Sequence, residues 1–232
     1  MKHQKLLDDT WQALEADANE KNGRRTYMGM SGIVSNCDRK TWLEFRHGFT
    51  SHIDYKSATF FADGHYSEIV MTDRIKLAGY NLKTEEADGN QIAVQDYYWL
   101  RGHTDGEIVI VDEKYVYEHK CTNPAKLTKL KKLIDKNEHK ALKQWDKQYY
   151  SQAQLYMHYT GIHKHVLTAA GEGSREKLNK DGDFRTAIVE TLYNEKDAVE
   201  YKQKGLHLIT TSEMPPASPS LEYDKPLCIW AN

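Results

Sequence analysis

No stretch of this 232-residue chain approaches the twenty apolar residues that a membrane span requires. Its opening, MKHQKLLDDTWQ, lacks the apolar core of a signal peptide, so a cytoplasmic protein is expected. Cysteine is scarce. Cys37, Cys121 and Cys228 are odd in number and lack metal-type spacing, which suits a reducing compartment. Net charge is only −2, which excludes an indiscriminately basic, histone-like binder. His-rich ligand spacings of the kind found in small-molecule metallophosphoesterases are missing, and there is no internal repeat. Proline is rare before Met214: four of the five lie beyond it, and a tail wrapping over the surface is expected for 214–232.

What remains describes one well-buried domain over 1–232, with 39 % hydrophobic and 28 % charged residues. Its most informative passage is GHTDGEIVIVDEKYVYEHKCTN, which starts at Gly102. The β-branched run 107–111 and the segment 115–121 read as two strands joined by a turn at Asp112-Glu113-Lys114. Side chains alternate along a strand, so Glu118 and Lys120 share one face and His119 takes the other. Asp105 can lie beside them across the hairpin. Two carboxylates and an ammonium make a poor core but a good site for a hard divalent cation and a phosphodiester. Magnesium needs few protein oxygens if substrate oxygens complete its shell. Such an ion supplies hydroxide near neutral pH and neutralises phosphoryl charge. A lysine beside it can orient the attacking water or stabilise the transition state.

Around this hairpin the chain reads as mixed α/β. Leu6, Leu7, Trp11 and Leu14 have helical spacing over 3–21 and predict an amphipathic helix, ended by Gly23, packing on the domain within an N-terminal element of 1–30. Ser31 suits the N-cap of a second helix, with Trp42, Leu43 and Phe45 on its buried face. A helix over 61–78 ends at Gly79, and strands are expected at 80–85 and 91–99, with Tyr97, Tyr98 and Trp99 in the core. Helices follow from Pro124 to Gly161, then strands at 164–170 and 185–193 and a helix at 195–212. Residues 126–147 hold eight lysines against Asp135, Glu138 and Asp146, a local balance of +5. Lys126, Lys129, Lys131 and Lys132, just after the hairpin, suit sequence-independent contact with DNA phosphates.

Four blocks in order resemble the PD-(D/E)XK nuclease superfamily, within it the RecB-like and phage lambda exonuclease-like enzymes. They are SGIVSNCDRKTWLEFR (31–46), FADGHYSEIVMTDRIKLAGYNL (61–82), GHTDG with EHK (102–106 and 118–120), and QYYSQAQLYMHYTG (148–161). The resemblance implies a restriction-endonuclease-like core, a mixed central β-sheet flanked by helices. It also implies metal held by Asp105, Glu118, the His119 backbone carbonyl and Glu68, with Lys120 as the catalytic lysine. Gln152 would orient Glu118, Lys120 or the DNA strand, Tyr156 would line the same groove, and Ser31 and Arg39 would meet DNA, Arg39 at a terminal phosphate.

Two departures stand out. Some RecB-like relatives carry a His just before the helix-borne Glu, where this chain has Ser67; His65 lies nearby instead, leaving open which side chain reaches the metal. Iron–sulfur relatives place three cysteines near the C-terminus, whereas here only Cys228 is late, so no cluster is expected. The implied activity is a magnesium-dependent DNA exonuclease of phage or mobile-element recombination, replication or repair, with manganese able to substitute. DNA ends, double- or single-stranded, would be its partner, with a single-strand annealing or binding protein as a further one. A structure-specific or restriction-like endonuclease and a catalytically silent DNA-binding module are the alternatives.

Overall fold

Val111 and Asp112 both adopt positive φ (47° and 65°) and form the two-residue turn that joins β5 (Gly106–Ile110) to β6 (Glu113–Thr122). The turn lies earlier than the expected Asp112-Glu113-Lys114, because a hairpin of this type closes on two left-handed residues and Glu113 already pairs with Ile110. This computed structural model describes residues 2–23, 25–35, 37–48, 52–96, 99–171 and 186–216.

The hairpin lies within a five-stranded sheet, together with β2 (Asn81–Lys83), β7 (Lys164–Gly171) and β8 (Thr186–Leu192), in the order β2-β5-β6-β7-β8. All neighbours are antiparallel except β6 and β7, which run parallel. A parallel pair needs a long crossover. It is supplied by α4 (Pro124–Trp145), whose helical path breaks at Asn137, and α5 (Lys147–Thr160). These helices cover one face of the sheet, where Leu127, Leu130, Leu142, Leu167, Ala169 and Val189 form a buried cluster. The opposite face packs Leu82, Ile108, Tyr117 and Val166 against Ile75 of α3 (Tyr55–Leu77). The final helix, α6 (Glu195–Thr210), packs on α5.

A second sheet was not expected. It has three strands in the order β1-β4-β3, from β1 (Met28–Gly29), β3 (Ala93–Asp96) and β4 (Leu100–His103). The single strand predicted over 91–99 is therefore the first arm of a hairpin; Tyr97 and Tyr98 lie outside the described residues, and Trp99 is more than half exposed. Two further expectations are corrected. The second helix, α2 (Asp38–His47), is capped by Cys37, whose sulfur accepts from the Lys40 N–H, while Ser31 belongs to a 3₁₀ turn over Met30–Gly32.

The first helix, α1 (Lys2–Lys21), packs on α3 with only part of its stripe: the Trp11 ring lies 6.4 Å from that of Tyr55 and Leu14 is half-buried, while Leu6 and Leu7 face solvent. Polar clamps add to this contact. Asn19 exchanges two hydrogen bonds with the Ile53 backbone, and Glu15 accepts from the Tyr55 N–H. No helix among the described residues is long and apolar enough to cross a membrane. The expected tail lies outside the described residues beyond Pro216, as does the loop at 172–185.

Candidate active site

Strand β5 stops pairing with β6 at Gly106 opposite Tyr117, yet β6 continues to Thr122. Beyond that point the backbone of β6 on this side has no neighbouring strand, and the Asp105 side chain takes its place. Asp105 Oδ2 accepts the His119 N–H at 2.7 Å, satisfying a donor that would otherwise lie buried and unpaired. Glu118 and Lys120 project together toward α5. Lys120 Nζ donates to Glu118 Oε2 at 2.6 Å and stands 3.7 Å from Asp105 Oδ2. The two carboxylates thus share one ammonium. The Tyr149 ring flanks the same ammonium at 5.7 Å, a neighbour that sequence reasoning missed.

The electrostatics follow from burial. Glu118 is 2 % exposed, and burial, then the Asp105 charge, pushes its carboxyl up to about 8 against the pull of Lys120. Burial also opposes the Lys120 charge, but Glu118 and Asp105 outweigh it and hold its pKa above the ordinary value. Glu68, on α3, is raised in turn by burial and by Asp105. Its neighbour His65 is 73 % exposed, with Nδ1 3.9 Å from Glu68 Oε2, so Glu68 is the more buried of the two side chains.

Among the described residues no three carboxylate, imidazole or thiolate groups converge tightly enough to close a metal shell. Two carboxylates with a third alongside nonetheless fit a hard cation that keeps several waters. The decisive observation is Glu118 Oε1, which is buried without a hydrogen-bond partner. A buried carboxylate oxygen with no donor costs free energy unless something positive meets it. Asp105, Glu118 and Glu68 are the side chains that would hold such an ion.

His119 turns to the other face, as predicted, and is not idle there. Its Nε2 meets Ser67 Oγ at 2.8 Å and its Nδ1 meets Thr168 Oγ1 at 2.9 Å; Tyr117 OH also meets Thr168 Oγ1 at 2.9 Å. Burial first lowers the imidazole to about 4, so it is neutral at pH 7. Sequence reasoning singled out Ser67 only as a departure, and nothing in the sequence pointed to Thr168.

Gln152 and Tyr156 differ from expectation. Gln152 Nε2 donates to Tyr156 OH at 2.8 Å rather than to Glu118 or Lys120, and Tyr156 OH donates to the His103 carbonyl at 2.8 Å. Tyr156 is 2 % exposed, so it does not line an open groove. It props β4, and the fit explains Gly102: a Cβ there would lie 2.4 Å from Tyr156 Cε1. Gly106 is required for a similar reason, since its Cβ would lie 2.7 Å from the Lys83 carbonyl oxygen. Both glycines of GHTDG are thus packing requirements on either side of Asp105. His103 contributes its backbone, and Cys121 is half-buried rather than buried.

The DNA-facing candidates are dispersed. Arg39 Nε donates to the Pro215 carbonyl at 2.8 Å, and the Ser31 carbonyl accepts from Gln148 Nε2 at 2.7 Å. On α4, Leu127 and Leu130 turn inward, leaving Lys126, Lys129 and Lys132 exposed and Lys131 half-buried; Lys126 pairs with Asp146 at 3.5 Å. A cleft of about 770 Å³ opens between α1, α2 and α3, lined by Arg25, Tyr27, Ser31, Phe45, Phe61 and His65 among others. It contains none of Asp105, Glu118 and Lys120; its link to them is His65, one helical turn before Glu68.

No protein-family description matches the sequence, and no curated protein matches it as a relative. Solved structures do resemble it. The alkaline exonuclease LHK-Exo of Laribacter hongkongensis is 16 % identical with a TM-score of 0.56, over 85 % of this chain and 90 % of that one. The same enzyme in complex with dAMP gives 13 %, a TM-score of 0.54, and 80 % and 87 %. A phage-related exonuclease from Haemophilus somnus 129PT gives 13 % and 0.50, over 74 % and 77 %. The fold is restriction-endonuclease-like. Within it, the hairpin bearing Asp105, Glu118 and Lys120 is the central element of the five-stranded sheet.

Proposed function

We propose that this protein is a divalent-metal-dependent deoxyribonuclease, an exonuclease that hydrolyses phosphodiester bonds from DNA ends. The observation that carries the reading is the meeting of Asp105, Glu118 and Lys120 where β5 leaves β6, with Glu118 Oε1 unpartnered. Carboxylates that repel phosphate have little use in a plain DNA-binding surface, but suit one that recruits a cation between itself and the substrate. The likeness in fold to LHK-Exo, which has been solved with dAMP, supports DNA as the substrate class. Magnesium is the ion expected, with manganese as a substitute.

When bound, the cation supplies hydroxide near neutral pH and offsets charge on the phosphoryl oxygens. The rest belongs to the chain. Asp105, fixed through Oδ2 by the His119 N–H, presents its carboxylate at a set angle. Glu118 offers Oε1 from a buried position, and Glu68 closes the site from α3. Lys120 stays protonated throughout and can orient the attacking water or stabilise negative charge in the transition state, with Tyr149 limiting where its ammonium can go. Positioning and preorganised charge supply most of the acceleration. Exposed lysines of α4 meet the DNA backbone, and phage or mobile-element recombination, replication or repair is the setting proposed for this end-dependent activity.

The test is digestion of end-labelled linear duplex beside covalently closed circular DNA, with magnesium. Linear DNA should be degraded and the closed circle left intact. Lys120→Ala and Glu118→Ala should each lower the rate by at least about 10²–10³-fold, the scale of removing one preorganised charge. Cutting of the closed circle would point to an endonuclease, and metal-independent binding without cleavage to a silent module. Undiminished degradation by both variants would refute the site.

A further inference from the structure

We propose that the His119 imidazole is a positioning group that latches α3 to the catalytic sheet and so sets where the Glu68 carboxylate stands relative to Asp105 and Glu118, a role that rests on the nuclease reading above. No apolar side chain in the turn of α3 that carries Glu68 is buried: Tyr66 and Ile69 are exposed there, as are Phe60 and Phe61 further back. The nearest buried residue, Thr72, lies one turn beyond and donates to the Glu68 carbonyl at 2.6 Å. The Ser67–His119 bond ties that turn to β6. Ser67 and Glu68 are consecutive, so fixing one Cα places the next within a single step of about 3.8 Å.

The other ring nitrogen anchors the latch to β7 through Thr168, and His119 itself is 3 % exposed. The contacts can all be satisfied together, either with Thr168 donating to Nδ1 and Nε2–H to Ser67, or with Thr168 donating to the Glu118 carbonyl, Nδ1–H to Thr168 and Ser67 to Nε2. The same residue gives its backbone N–H to Asp105. His119 therefore supports two of the three acids, Asp105 through its main chain and Glu68 through its side chain. Asn or Gln spans only one of the two hydroxyls that the ring joins, so the two-nitrogen ring is what the geometry uses.

The experiment is calorimetric titration of the full chain with Mn²⁺, alongside Mn²⁺-dependent degradation of linear duplex and a thermal unfolding curve for every variant. Ser67→Ala and His119→Asn, whose shorter amide reaches no further than Nδ1, should each weaken Mn²⁺ binding about tenfold, the scale of losing a supporting hydrogen bond around a metal site. Ser67→Thr, which keeps the hydroxyl, should restore it. In a Glu68→Gln background, Ser67→Ala should change Mn²⁺ affinity no further, because the latch then has no carboxylate to place. If His119→Asn fails to fold, Ser67→Ala, at a half-buried position, decides. A Ser67→Ala protein that binds Mn²⁺ as tightly as the wild type, or loses the same factor with and without Glu68, overturns the latch and leaves the nuclease reading intact. Wild-type protein that neither binds Mn²⁺ nor degrades DNA overturns both.

Discussion

Glu118 concentrates the tension of the site in one side chain. Its carboxyl is raised from an ordinary 4.5 to about 8, chiefly by burial and then by Asp105. A raised acid binds its proton more tightly when folded, so its contribution to stability is complete below about 4.5 and is lost as pH climbs through 8. Metal-free protein should therefore melt at progressively lower temperature between pH 5 and pH 8, and Glu118→Gln should flatten that slope. A divalent cation takes the proton's place, so cation affinity should rise over the same interval. Melting curves with and without chelator across that range test both statements. Gly102 makes a second prediction. Gly102→Ala forces a methyl against the Tyr156 ring and should cost about 1–3 kcal/mol as overpacking. Combined with Tyr156→Ala, it should cost much less than the two single changes together, because the ring it strikes is gone.

Among the elements, α4 sorts its lysines by face. Lys129 and Lys132 are exposed, while Lys143 is tied to Asp197 at 2.6 Å. Replacing Lys129 and Lys132 with Ala should weaken DNA binding equally for all sequences. It should also reduce the dependence of log affinity on log salt by about 0.9 for each phosphate no longer neutralised. Fluorescence anisotropy over a salt series measures it; an unchanged slope would remove α4 from the interface. The elements also divide by how legible they were. Helices α5 and α6 and strands β6 and β7 lie within a few residues of where the sequence places them, whereas α3 starts at Tyr55 behind an Asp54 cap, six residues before the expected 61, because no periodic apolar signal marks its first turns. The β5–β6 turn was misplaced because Val111 and Asp112 take left-handed backbone without the Asn-Gly signal that usually marks it. Sheet β1-β4-β3 escaped notice because β1 has two residues and β4 spends one of its four on Gly102. The apolar stripe on α1 is legible in the sequence, but periodicity does not say how much of it a partner covers: Trp11 and Leu14 are partly covered, Leu6 and Leu7 face solvent. At the site, alternation along β6 set Glu118, Lys120 and His119 on their faces, whereas the Gln152–Tyr156 bond depends on where β4 lies, and no local pattern encodes that.

For the molecule as a whole, the cation should act as a fastener among three parts of the chain: strand β6, the approach to β5 and helix α3. At one hundred times its dissociation constant a ligand adds about 2.7 kcal/mol to stability. For a chain of this size that raises the melting point by roughly 5–10 °C. Differential scanning with magnesium, manganese and chelator should show this, and Asp105→Asn should shrink the gain. The shared fold at 16 % identity fits a molecule whose architecture is fixed by layer packing and whose chemistry rests on few positions.

The parallel seam between β6 and β7 carries one more implication. During synthesis the acids and the lysine emerge early, by residue 120, but the strand that seats Thr168 against His119 arrives only after the α4–α5 crossover. A fragment that stops before Lys164 would carry Asp105, Glu118, Lys120 and Glu68 but lack the strand that pairs with β6, so incomplete products of translation should not hold the proposed cation.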